Sequence, residues 1–162
     1  MTRPRIKLEW TVGDKLVFGL GLLGVLVLIV LPFWFYNDLP DRIPKHFNAA
    51  GQPDAFGTRS SIWISPIVGV VLFIGMAVLN QYPHLFNYLK PITQDNYESQ
   101  YRNATRLLRL INVIMVWVFA YITYGTIQTA LGKVDGLGPG PVLGVVGLMV
   151  VISVVYMTRS GK

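Results

Sequence analysis

The chain has no cysteine and little charge: 14% of its 162 residues are Asp, Glu, Lys or Arg, and eight of them are acidic. Without thiols there is no disulfide, thiolate zinc site, iron–sulfur centre or cysteine nucleophile. The shortage of charge excludes a disordered polymer, which needs many charges and few apolar residues. A hydrophobic content of 52% and a mean hydropathy of +0.49 exclude most soluble folds. A formal charge of +6 would suggest nucleic acid in a soluble protein. Here the basic residues flank apolar tracts, so topology accounts for them and no nucleic-acid partner is expected.

What is present is a set of four apolar tracts. Leu16 to Asn37 is 22 residues without a charge, roughly 33 Å of helix, enough to cross a hydrocarbon core. The tract exceeds a signal peptide's apolar region of about 7–15 residues, and Phe33-Trp34-Phe35-Tyr36 offers no small-residue cleavage site, so it is expected to be retained. Further spans are expected at about 62–79, 110–131 and 141–157, with Pro141 suited to a first helical turn. The expected fold class is an all-α membrane protein. Residues 1–162 would form a single domain of four transmembrane helices, with both termini cytoplasmic and one ordered extracytoplasmic loop between helices 1 and 2. Orientation rests on the distribution of Lys and Arg. Arg3, Arg5, Lys7, Lys15, Lys90, Arg102, Arg106, Arg109, Arg159 and Lys162 fall on one side, and Arg42, Lys45, Arg59 and Lys133 on the other.

No ionisable residue lies within these four tracts, which argues against a proton-coupled transporter or a voltage sensor. Gly21 and Gly24 in the first span, and Gly140, Gly144 and Gly147 in the last, are spaced to let helix backbones approach closely. Tyr121, Tyr124 and Gln128 share one helical face and are expected to bond across helices rather than line a polar pathway.

Residues 80–109 are amphipathic, and Thr93 is expected to cap a helix beginning near Gln94, beyond Pro91. On that helix Tyr97, Tyr101, Ala104 and Leu108 form a stripe for protein or membrane. Arg102, Arg106 and Arg109 form another, which sets topology and can bind anionic lipid headgroups. His84 has no second histidine on its side and is not expected to serve catalysis or metal binding.

The 25 residues 37–61 are the most unusual in composition. Leu39-Pro40 and Ile43-Pro44 should run extended, because residues before proline are pushed out of the helical region. Asn48, Gly51, Pro53-Asp54 and Gly57 fall at turn-like spacing, and Thr58, Ser60 or Ser61 can cap the next helix. His46, Asn48 and Asp54 are expected to converge. They could act as divalent-metal ligands with Asp38 or Asp41 nearby, as an acid–base pair with His46 titrating, or as a self-satisfied loop used for recognition. In the last and preferred reading Asn48 and Asp54 bond backbone, His46 bonds a carbonyl, and Phe47 and Phe56 rest on the bundle or on the membrane interface. No metal or cofactor is expected.

The run LPDRIPKHFNAAGQPDAFGTR resembles the signature LPxxIPxHFNxxGxxDxxG of the bacterial family called domain of unknown function 1648. Leu39, Pro40, Ile43, Pro44, His46, Phe47, Asn48, Gly51, Asp54 and Gly57 match in register, and Arg59 takes the basic position usually held by Lys. The family's domain with its flanking spans would cover roughly residues 16 to 80. The same domain occurs in SdpI immunity proteins, which protect bacteria from a secreted peptide toxin. The second half of those proteins, with its additional spans, is not recognisable here.

The resemblance implies a multi-pass protein of the bacterial cytoplasmic (inner) membrane. Pro40, Pro44, His46, Phe47, Asn48, Gly51, Asp54, Gly57 and Arg59 would form a loop for a ligand, peptide or partner, in envelope stress or toxin immunity, with the lipid bilayer and anionic lipid as further partners. The alternatives are a membrane-embedded enzyme or lipid-handling protein using His46 and Asp54, and an accessory subunit of a larger membrane complex. The orientation is checked with reporters: one fused after Lys162 should be active only in a cytoplasmic assay, and one inserted between Ala49 and Ala50 only outside.

Overall fold

The computed structural model describes residues 3–159, without the side chains of Val142 and Arg159. Lys162, counted above among the inner cations, lies outside the described residues. Helix α1 spans Val12–Phe35. Thr11 starts it with a capping box: Asp14 N–H donates to Thr11 Oγ1 (3.2 Å), and Thr11 N–H donates to Asp14 Oδ2 (2.9 Å). A single 3-10 turn, Tyr36–Asp38, leads into strands β1 (Arg42–Phe47) and β2 (Pro53–Thr58). A second, Arg59–Trp63, opens helix α2 (Ile64–Leu79), and a third, Pro83–Leu85, precedes helix α3 (Tyr97–Ala130). Helix α4 is Gly140–Arg159.

Three helical segments, Val12–Asp38, Arg59–Leu79 and Tyr97–Ala130, are long and apolar enough to cross a membrane, and α4 contributes a shorter apolar stretch, Leu143–Thr158. Leu16, Leu20 and Leu23 on α1, Ile67, Val71 and Ile74 on α2 and Val146 and Val150 on α4 are exposed, as lipid-facing side chains must be. The chain is thus a helical membrane protein. The all-α expectation is corrected by the two-stranded antiparallel sheet between α1 and α2. The loop anticipated as extended satisfies its backbone groups by pairing with itself.

Helix α3 holds the molecule together. Its 34 residues amount to about 51 Å, against a hydrocarbon core of about 30 Å. Its buried stripe rises through Tyr101, Thr105, Arg109, Asn112, Val116, Ala120, Thr123 and Ile127 at spacings of three and four. In the lower half this stripe is polar. Arg109 is buried and ion-paired with buried Asp14 of α1, while Arg106 approaches the same carboxylate at 3.4 Å. Arg109 Nε donates to Asn80 Oδ1 (3.2 Å), and Asn80 Nδ2 donates to the Thr105 carbonyl (2.7 Å). Asn112 Nδ2 donates to the Phe73 carbonyl of α2 (3.1 Å). Above these bonds an apolar cluster of Leu28, Phe73, Val116 and Ala120 closes the three-helix contact.

Helix α3 begins at Tyr97, not near Gln94, and Thr93 does not cap it. Asn96 organises the start instead, accepting from Thr93 N–H (2.8 Å) and donating to the Pro91 carbonyl (3.1 Å). Thr58 precedes the Arg59–Trp63 turn without a side-chain capping bond; its hydroxyl pairs with that of Ser60 (2.9 Å).

The glycine expectation holds in part. A Cβ on Gly21 would meet the Phe73 ring at 2.7 Å, and one on Gly24 would meet Val116 Cγ1 at 2.8 Å. Gly69, not anticipated, is equally tight against Leu28 (2.7 Å). Gly140, Gly144 and Gly147 have nothing within 4 Å, so they mediate no helix packing among the described residues. Tyr121 acts as a tie: its hydroxyl donates to the Leu137 carbonyl (2.8 Å), while Tyr124 stays exposed.

Arg109→Leu should cost about 3–5 kcal/mol, the usual loss when one partner of a buried ion pair is removed. Arg106→Leu should cost about 1 kcal/mol or less, because Arg106 is partly solvated and Asp14 keeps Arg109. Denaturant unfolding of both variants in the same detergent measures the difference.

Candidate functional site

The hairpin is rooted by apolar side chains. Leu39 and Ile43 are buried with Ile62 and Ile127, and Leu31, Phe35 and Trp63 pack around them. Period-two alternation therefore fails in β1, where Ile43 and Pro44 are both buried against the helices. Arg59 clamps the base: its N–H donates to the Asp41 carbonyl (2.9 Å) and its guanidinium to Asp41 Oδ1 (2.8 Å).

Pairing runs Arg42 with Thr58, Ile43 with Gly57 and Pro44 with Phe56, then shifts so that His46 faces Ala55 and Phe47 faces Pro53. The shift accommodates Pro44, which has no N–H for the ladder. It also brings His46 to Asp54, with Nδ1 2.6 Å from Oδ1 and both side chains largely exposed, at 67% and 42%. Asn48 builds the tip. Its Oδ1 accepts from the N–H groups of Ala50 (2.9 Å) and Gln52 (3.1 Å), an Asx turn closed by Asn48 N–H on the Gln52 carbonyl (2.9 Å).

Gly51 has φ 74°, which glycine adopts without the penalty a Cβ brings. Its carbonyl accepts from Leu137 N–H (2.8 Å), and a Cβ there would run into the Gly138 backbone. The tip is therefore fastened to the α3–α4 connection.

Between hairpin, α2, α3 and this connection lies a cavity of about 330 Å³. Lys45, His46 and Phe47 line it from the hairpin, Ser61, Ile62 and Ser65 from the start of α2, and Ile122 and Thr123 from α3. Thr123 is 1% exposed and its hydroxyl has no hydrogen-bond partner, whereas neighbouring Thr126 bonds the Ile122 carbonyl (2.8 Å). A buried hydroxyl without a partner costs about 1–3 kcal/mol unless something reaches it.

Of the anticipated site residues, His46 and Asp54 come together, and Asn48 serves the turn instead of joining them. Asp54 bonds His46, not backbone, and His46 does not bond a carbonyl. Among the described residues no three His, Asp or Glu side chains cluster as metal ligands. Phe56 does not rest on the bundle; it is exposed beneath the Arg42 guanidinium at 5.3 Å. Arg102, Arg106 and Arg109 do not form one outward stripe. Arg109 is buried, Arg106 leans on Asp14, and Arg102 pairs with Glu98 (3.0 Å). Sequence reasoning missed Thr123, which looks like any other polar residue in an apolar helix.

The structure defines a class: a helical membrane protein whose first two long helices are joined by a fastened β-hairpin. Residues 23–70, from the middle of α1 through the hairpin into α2, match the model of the family described as Domain of unknown function (DUF1648). An uncharacterized protein of Archaeoglobus fulgidus is 31% identical over 81 residues, covering 45% of this chain. The chain spans only 44% of that relative's length. No solved structure matches.

Because the Asn48 carboxamide holds two tip N–H groups and Asp54 holds none, Asn48→Ala should loosen the hairpin more than Asp54→Ala. An exposed pair such as His46–Asp54 is worth about 1 kcal/mol at most. Limited proteolysis of the reconstituted protein should cleave between residues 48 and 53 faster in Asn48→Ala, with Asp54→Ala close to wild type.

Proposed function

We propose that this chain is a non-enzymatic, four-span protein of a prokaryotic cytoplasmic membrane, with both termini inside, and that its outer hairpin and the cavity beneath it recognise an apolar side chain of a peptide or partner protein. The setting would be envelope stress or toxin immunity, in keeping with the family resemblance. The observation that carries the reading is the fastening of a hairpin tip over a cavity of about 330 Å³. A tether would need none of this. The volume of about 330 Å³ lies at the lower end for ligand pockets, of about 300–1,000 Å³, and suits one large side chain better than a whole cofactor. Exposed Lys45 and His46 in the lining, with Asp54 bonded to His46, would supply polar contacts.

One observation favours a second reading. His46 bonds Asp54 through Nδ1, which leaves Nε2 free, the arrangement of a general base held by an orienting carboxylate.

The test places a photo-crosslinking amino acid at Ala49, which lines the cavity, and at Phe56, which does not. Irradiated cells should give a discrete adduct from position 49 only, and Ser65→Phe, which fills the cavity, should abolish it. Equal adducts from both positions, or an adduct indifferent to Ser65→Phe, would overturn recognition in the cavity. Under the enzymatic reading His46→Gln should accumulate the adduct, because bound substrate is no longer turned over; under recognition it should leave the adduct unchanged or weaken it.

A further inference from the structure

The opposite end of the molecule holds a larger cavity, of about 850 Å³. One wall is the non-helical amino-terminal segment, which is fastened along its length. Arg3 Nη1 donates to the carbonyls of His84 (3.2 Å) and Phe86 (2.6 Å), Tyr101 donates to the Pro4 carbonyl (3.3 Å), and Arg102 to the Glu9 carbonyl (3.3 Å). Exposure alternates along it: Pro4, Ile6 and Leu8 are half-buried, while Arg5, Lys7 and Glu9 are exposed. Arg5 and Lys7 line the cavity, joined by Lys15 from the second turn of α1, with Asn80 and Arg109 lining it from α2 and α3.

The charges in this cavity do not cancel. Arg109 is matched by Asp14. Arg5, Lys7 and Lys15 have no ion-pair partner among the described residues, and Glu9 is the one carboxylate in the lining. Three cations without an ion-pair partner, from two elements, therefore line one space edged by exposed Tyr82 and Leu85. We propose that this cavity binds a phosphate group, either the headgroup phosphodiester of an anionic lipid or free phosphate. The cavity lies where the apolar stretches of α1 and α2 end, the depth at which lipid phosphates sit beside a spanning helix. Tyr82 and Leu85 would lie against the glycerol and first acyl carbons, and Arg5, Lys7 and Lys15 would neutralise the phosphate. This site is separate from Arg102, which pairs with Glu98, and from Arg106; neither lines the cavity.

The test is native mass spectrometry of the full chain released from neutral detergent and titrated with short-chain phosphatidylglycerol, with phosphatidylcholine of the same chain length, and with inorganic phosphate. Wild type should bind phosphatidylglycerol at least about tenfold more tightly than phosphatidylcholine. An interfacial cation contributes about fivefold, so R5Q/K7Q/K15Q should lose on the order of a hundredfold and R106Q should stay near wild type. K7Q alone, with a loss of about fivefold, keeps the test decisive if the triple variant folds poorly. If inorganic phosphate competes with the lipid, free phosphate is also a ligand; if it does not, the lipid is the source, and both results support the site. Equal affinity for the two lipids, or undiminished phosphatidylglycerol binding by R5Q/K7Q/K15Q and K7Q, would overturn it.

Discussion

The ion pair between Asp14 and Arg109 fixes how the three long helices sit against one another. Two charges removed from water each cost several kcal/mol, which their attraction recovers only if the remaining donors and acceptors are also satisfied. Asp14 Oδ2 accepts from the Thr11 N–H and hydroxyl at the start of α1, leaving Oδ1 for the arginines. Arg109 passes a further bond to Asn80 at the end of α2, and Asn80 returns one to the α3 backbone at Thr105. A rotation or slide of any helix by one residue would break this circuit and leave buried charged and polar groups unpaired. The circuit therefore sets the register in which Gly21 and Gly24 face Phe73 and Val116.

That register is carried up α3 to the hairpin. Ile127, about five turns above Arg109 at 3.6 residues per turn, is the buried residue on which Leu39, Ile43 and Ile62 converge. Leu137, just beyond the end of α3, holds Gly51 at the tip. The hairpin has only two strands, and an isolated two-stranded hairpin is marginal in water. Its order comes from these two attachments and the Arg59–Asp41 clamp at its base. His46 and Asp54 are consequently held on a fastened support while remaining exposed.

Much of this was legible in the sequence. Uncharged length gave the long helices, residues before proline gave the extended stretch, and Asn48 with Gly51 gave the turn, because each depends on local stereochemistry. The ion pair was missed for a specific reason. The spans were drawn between charges, which places every ionisable residue outside a span by construction, yet Asp14 and Arg109 lie within α1 and α3. The signal was available: Asp14 follows Thr11 at capping-box spacing, and Arg109 continues the stripe of Tyr101, Thr105, Asn112 and Val116. The pairing of His46 with Asp54 was half legible. Their convergence follows from a hairpin, but the shift in register at Pro44 that makes them neighbours depends on how the strands pair. The openness of Gly140, Gly144 and Gly147 was not legible, because spacing shows where a backbone can be approached and not whether anything approaches it.

Helix α3 lines both cavities, with Thr105 and Arg109 at one and Ile122 and Thr123 at the other. Some 20 Å of helix separates Arg109 from Ile122. A ligand beneath the hairpin could move the far end only by shifting α3, and such a shift would have to break the Asp14–Arg109 circuit at a cost of about 3–5 kcal/mol. A ligand shifts an equilibrium by no more than its differential affinity for the two states. One side chain in a cavity of about 330 Å³ contributes about 1.5–3 kcal/mol by burial, and most of that is gained in either state. The energetics thus favour a fixed receptor. Under the proposed function, occupancy beneath the hairpin would be read beside His46 and Asp54 and not by displacement of the helices.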